Sequence, residues 1–404
     1  RWNDLIELLC DENFALAKSA AGLSTELVVD YTETARTLPQ HISAPLEMRQ
    51  RLAKLIVNED LTPVERADAG RLLGRLGDPR PGVGLLQDEK GEIKRFNITG
   101  GSISLPHFVW CGPDGEINGS LASANPFPAG PFEMGGDPDA WGSSRAPFNC
   151  TRVIEPFFIS KYLFTVAQFQ AFVDAGGYEM GEEIWGADGV KWRTTQGVAG
   201  PEDFDRHNDV FQTPNHPRAG VSWWEARACA RWMNRPEILA MLGLPAGARL
   251  ALPTDAQWER AARWPVPAQR RFPWGNEEKV NDQWVGQNFN DRCNWYGTGI
   301  GHTSAVGLFP KGRAACGAED PAGNVWQWCQ SKWTDLSKKH DHESYNGSTS
   351  LDADGVSAPR VLSGGSWNLI DPALLLASRR NYYIPGNRYG PFGFRVVVVL
   401  GLER

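Results

Sequence analysis

All but one of the seventeen tryptophans lie at or after Trp110, in a stretch that also carries most of the 43 glycines and 28 prolines. A chain so rich in large rings and backbone breakers cannot build long regular elements there. It folds as irregular loops cemented by buried aromatics around a small amount of helix and strand. Before residue 90 the composition differs. From Trp2 to Leu86 it is rich in Leu, Ala, Glu and Arg, with Leu52, Leu55 and Ile56 at helical spacing. The chain therefore divides into a helical segment over residues 1–90 and a loop-rich α+β unit over residues 91–404.

Four capping boxes place helices within this plan. Thr62-Pro63-Val64-Glu65 starts one in the first segment, and Gly77 to Gly82 ends that region. Thr165 with Gln168, Ser222 with Glu225, and Thr254 with Gln257 start three more. In each, the hydroxyl accepts from a first-turn amide and the Gln or Glu returns the bond. Short strands are expected at Pro131 to Met134, Phe157 to Ile159, Val361 to Leu362 and Phe394 to Leu400. The polar, glycine-bearing stretches 177–214 and 334–359 read as surface insertions.

Composition limits function. A net charge of -7 and a pI near 5.6 argue against general nucleic-acid binding. No run approaches eighteen apolar residues, so no membrane insertion is expected. Seven cysteines without a Cys-x-x-Cys spacing suit reduced thiols, hence a cytoplasmic location. The first residue is arginine, which reads as part of a longer gene product. His340-Asp341-His342 lies in a polar insertion and reads as solvated loop.

The end of the chain holds its own frame. Gly364-Gly365-Ser366-Trp367 and Gly393-Phe394-Arg395 bracket a segment with neither helical nor strand periodicity. Together with Pro128 to Gly135, Pro156 to Tyr162, His216-Pro217 with Val221-Ser222-Trp223, Leu252 to Glu259, Phe272 to Asn276 and Gly323 to Trp328, these blocks resemble the formylglycine-generating-enzyme domain, in order, across about residues 125–400. The resemblance implies a loop-rich variant of the C-type lectin fold. In the oxidases of that family a cysteine pair within the final block binds copper. This chain has no cysteine after Cys329, so the resemblance here points away from an enzyme. The family's sulfoxide synthases hold iron with histidines, and the first ninety residues contain only His41.

The final block looks most like the variable region of diversity-generating retroelement proteins, about residues 367–395. Their diversified codons end in a pyrimidine and so exclude Trp, Lys, Gln, Glu and Met. Residues 368–392 contain none of these five, where the chain's average would place about four. On this resemblance the ligand-binding positions are Leu369, Ile370, Asp371, Leu374, Arg379, Asn381, Tyr383, Ile384, Asn387, Tyr389, Gly390 and Pro391, displayed to solvent against a protein or other macromolecular ligand. Trp326, Trp328 and Trp367 read as core, and Arg380 and Arg388 as scaffold hydrogen-bonders. No cofactor is expected. Calcium would draw on Asn288, Asn324 and Gln327, but Gln327 stands where the family has glutamate, which weakens a hard-cation site. The expectation is thus a non-catalytic, ligand-binding variable protein. The alternatives are a metal-dependent oxidase or sulfoxide-synthase-like enzyme of the same family, or a pseudo-enzyme module of a larger signalling or defence protein.

Overall fold

A computed structural model describes residues 46–98, 101–136, 150–202, 209–265, 270–276, 278–280, 283–285, 289–333 and 358–401. The architecture is the expected mixture of helices, short strands and long loops. All four capping boxes form, heading the helices Pro63–Leu76, Val166–Asp174, Trp223–Trp232 and Asp255–Arg263. They form because they are local: one hydroxyl and one carboxylate or amide satisfy two orphan amides within a single turn.

Two sheets organise the rest. The larger is antiparallel throughout, in the order Gly115–Glu116, Trp110–Gly112, Phe157–Ser160, Val397–Leu400, Ala248–Ala251. Val398 lies opposite Phe158 on one side and Leu250 on the other. On the outer side of Ala248–Ala251, the Asn234 side chain donates to Leu250 O and accepts from Leu250 N, both at 2.7 Å. The second sheet runs Arg380–Tyr383, Arg360–Ser363, Trp326–Lys332, Phe392–Gly393, with the last pair parallel. The expected closing strand from Phe394 to Leu400 is therefore shortened, and begins only at Val397. Phe392–Gly393 ends one sheet, Val397–Leu400 joins the other, and Phe394 to Val396 cross between them.

Arg395 sits in that crossover, 1 % exposed. Its Nε donates to Gln327 Oε1 at 2.7 Å, one terminal nitrogen to Ser160 O at 3.0 Å, and the other to Glu319 O and Asp320 O at 2.7 and 3.0 Å. Gln327 Oε1 also accepts from Trp258 Nε1, while its Nε2 donates to the carbonyls of Asp320 and Pro321. Tryptophans tie the same region together: Trp223 Nε1 donates to Cys329 O, and Trp328 Nε1 returns a bond to Val221 O.

One stretch departs from the sequence reading. Within residues 177–214, expected as a surface insertion, Glu182–Thr195 is helical, with Trp185 and Trp192 buried against the Trp223–Trp232 helix. Its polar residues face out, and Gly186 breaks the helix with φ 71°, which hides the apolar spacing. The counterpart, 334–359, falls almost wholly outside the described residues.

Helices Leu46–Leu55 and Pro63–Leu76 pack through Leu52, Ile56 and Leu73 onto Ile300, Leu308 and Phe309. Among the described residues no helix is long and apolar enough to cross a membrane.

Replacing Arg395 by methionine would leave a cluster of buried acceptors without donors. We expect a loss of about 3–5 kcal/mol, seen as a lowered urea midpoint. A loss below about 1 kcal/mol would show that the crossover is held by the hydrophobic core instead.

Candidate functional site

The His216-Pro217 block and a loop near residue 302 meet under the Pro63–Leu76 helix. Asn215 Nδ2 donates to Gly70 O and to Asp78 Oδ2, both at 2.9 Å, fixing the block to that helix. Gly74 permits the approach, since a Cβ there would lie 2.3 Å from Asn215 Oδ1. His216 is fully buried, with Nδ1 3.1 Å from Thr303 Oγ1. His302 Nδ1 donates to Thr303 O at 2.6 Å, which leaves its Nε2 as the basic nitrogen. The two rings lie nearly parallel with centroids 6.3 Å apart. Phe211 packs against both His302 and Trp367, so the Gly-Gly-Ser-Trp motif reaches this place too.

Electrostatics keep both rings neutral. Burial pushes His216 well below the ordinary histidine value, with help from His302, Arg71 and Arg75. Burial also lowers His302. Three buried polar atoms of this region, Asn215 Oδ1, His216 Nε2 and Trp367 Nε1, have no hydrogen-bond partner. A buried polar atom left without a partner marks a candidate functional position. The sequence reading did not single these histidines out as a pair, because 86 residues separate them and neither lies in a metal-binding spacing.

The closing segment is placed more variously than expected. Ile370, Ile384 and Tyr389 are exposed, at 73, 52 and 53 %. Leu369, Asp371, Leu374, Asn381, Tyr383, Asn387, Gly390 and Pro391 are half-buried. Asp371 accepts from Ala373 N, Tyr383 packs on Phe392, and Pro391 O accepts from Trp326 N. Arg379 is a correction: it is 2 % exposed and is not displayed to solvent. Arg380 pairs with buried Asp255, and Arg388 clamps Glu225, Glu202 and Gly200 O, so both serve the scaffold, chiefly through carboxylates. Trp326 and Trp328 are core, whereas Trp367 is half-buried.

Two of the three calcium candidates have their side-chain oxygens occupied by donors. Asn324 Oδ1 accepts from Ser304 N, and Gln327 Oε1 is shared by Arg395 and Trp258. Asn288 lies outside the described residues, as do His340 and His342. Cys111, Cys229, Cys293, Cys316 and Cys329 are buried free thiols. Burial pushes all five up, Cys316 to about 11, so none supplies a ready thiolate. No group of three or more His, Cys, Asp and Glu side chains suited to a metal occurs among the described residues.

Residues 120–400 match the Sulfatase-modifying factor enzyme 1-like domain family, and the chain belongs to that family. It is 33 % identical to the formylglycine-generating enzyme of Thermomonospora curvata, over 60 % of this chain and 81 % of that protein. It is 31 % identical to the hercynine oxygenase of Mycobacterium tuberculosis, over 58 % of this chain and 51 % of that protein. Among solved structures, PvdO from Pseudomonas aeruginosa aligns with a TM-score of 0.47 at 22 % identity, covering 68 % of this chain and 93 % of that one. The Thermomonospora and Mycobacterium relatives carry the names of enzymes. That overturns the expectation of a non-catalytic variable protein, which leaned on the missing cysteine pair and on the composition of one loop.

Beside Arg395, burial raises Glu319 to about 7 and Asp320 to about 6. A raised carboxyl makes the folded state hold a proton that the unfolded state has released. Its stabilising effect is full below the unfolded value near 4.5 and is lost as pH rises through about 7. Glu319→Gln is therefore expected to flatten the decline in melting temperature between pH 5 and 8. Parallel curves for wild type and variant would show that Glu319 ionises normally.

Proposed function

We propose that this chain is an enzyme of the oxidative kind that its relatives' names describe, an oxidase or oxygenase whose reaction centre lies at His216, His302 and Trp367. The observation that carries the proposal is His216 Nε2, a buried ring nitrogen on a neutral imidazole with no partner. The second ring is oriented by the same residue, Thr303, as metal-binding imidazoles are oriented by an acceptor behind them.

Thiolate-held copper does not fit: no cysteine follows Cys329, and the described thiols are buried and protonated. Histidine-held iron is met in part. His216 and His302 offer two ring nitrogens, and no third His, Cys, Asp or Glu joins them among the described residues. Iron held there would supply oxygen activation. This chain's own residues hold two imidazoles neutral, orient them through Thr303, and exclude water with Phe211 and Trp367.

Oxygen uptake is to be followed with the iron-supplemented protein, using hercynine plus a thiol in one series and a cysteine-containing peptide in the other. We expect turnover in one series and a loss of at least about 100-fold in His216→Ala, with the fold kept by circular dichroism. Because His216 is held neutral, the acid limb of the rate profile should fall below pH 6.5. No uptake with either substrate, or full activity in His216→Ala, would overturn the proposal.

A further inference from the structure

A cavity of about 420 Å³ opens beside the edge strand Gly115–Glu116. Its volume is in the range of small-molecule sites. The turn after Phe309 forms one wall and carries Lys311 and Arg313, and Arg270 and Trp274 stand on another. None of the residues of the proposed reaction centre lines it.

Of the four charged side chains in this lining, two are engaged outside it. Lys311 Nζ pairs with Glu59 at 2.6 Å, and Glu116 with Lys161 Nζ at 2.5 Å. The guanidiniums of Arg270 and Arg313 make no ion pair and no hydrogen bond among the described residues. Arg313 acts on the neighbouring Glu319 from beyond ion-pair distance, but burial raises that carboxyl to about 7, so it carries only about half a charge at neutral pH. Cys316, on which Arg270 acts, is pushed up by burial to about 11 and is a neutral thiol there. The cavity therefore holds two guanidiniums without a full counter-charge. A phosphate monoester, at about −1.5 to −2 near pH 7, matches them.

The backbone beneath both arginines is fixed. Arg292 Nη1 donates to Lys311 O at 2.7 Å, and a Cβ on Gly312 would lie 1.5 Å from Arg292 O, so the turn that carries Arg313 is seated directly on residue 292. On the other side, Arg271 N donates to Asn276 Oδ1 at 2.9 Å and Arg271 O accepts from Ala377 N at 2.8 Å, which holds the chain next to Arg270. Donors on backbone already in place lose less freedom when a ligand binds.

We infer that this cavity binds a phosphate group, as a small monoester or as the free ion, gripped by Arg270 and Arg313 in forked hydrogen bonds. The organic body of a monoester lies against Trp274 and Ala314. The test does not depend on turnover, because the site shares no residue with the proposed reaction centre.

Isothermal titration of the whole protein with phenyl phosphate, inorganic phosphate and acetate, at about 0.15 M salt, reads the proposal directly. At least one of the two phosphates should bind with a Kd below about 1 mM, and acetate, with a single charge, at least about tenfold more weakly. Tighter binding of phenyl phosphate assigns the monoester, and equal or tighter binding of inorganic phosphate the free ion. Arg270→Gln and Arg313→Gln should each weaken that binding at least about tenfold. Arg313→Gln should also keep the wild-type melting temperature, since the Arg313 side chain is exposed and supports no internal bond among the described residues. The inference is overturned if neither phosphate binds, if acetate binds as well as they do, or if either variant binds as wild type does.

Discussion

The two sheets of the lectin-like unit meet at a buried cation that makes no ion pair with a carboxylate among the described residues. Arg395 is buried between the two sheets and is neutralised by oxygens of neutral groups: carbonyls of Ser160, Glu319 and Asp320, and the amide of Gln327. Burial lowers its pKa to about 10, yet it remains charged at neutral pH. A guanidinium is suited to this position because its planar donors point in fixed directions and can each meet a separate carbonyl. Loop backbone that would otherwise carry unsatisfied acceptors becomes, around it, a defined surface. Burial, with Asp320 beside it, raises the neighbouring Glu319 carboxyl to about 7, while Arg395 draws Asp320 the other way.

A second arginine works similarly farther out. Arg388 joins the closing segment to Glu225, the residue that completes the capping box of the Trp223–Trp232 helix. One carboxylate thus caps a helix start and anchors a loop 163 residues away. The soft stretch between Trp367 and Gly393 is held at several internal points and not only at its two ends.

What was legible in the sequence follows from range. Capping boxes and short strands are set by neighbours along the chain, and all four boxes were read at the right residues. The helix Glu182–Thr195 was missed because Gly186 and Gly189 interrupt its apolar face, which is completed only by contact with Trp224. Buried arginines misled in the same way: Arg379 has the charge of a surface residue but the burial of a core one. The histidine pair was invisible for a stronger reason, since nothing near His216 in sequence announces that Thr303 will sit between it and His302. The expectation of a non-catalytic protein runs against the names of its relatives because it weighs one absent ligand pair above seven matching blocks.

The amide of Asn234 has a consequence for how copies of this protein can meet. By pairing with both the N–H and the C=O of Leu250, it acts as a one-residue surrogate strand on the open side of the five-stranded sheet. A strand from another molecule could not dock in register there without first evicting it. A hydrogen-bonding side chain of ordinary size thus blunts this edge, at Leu250, as a template for a further strand.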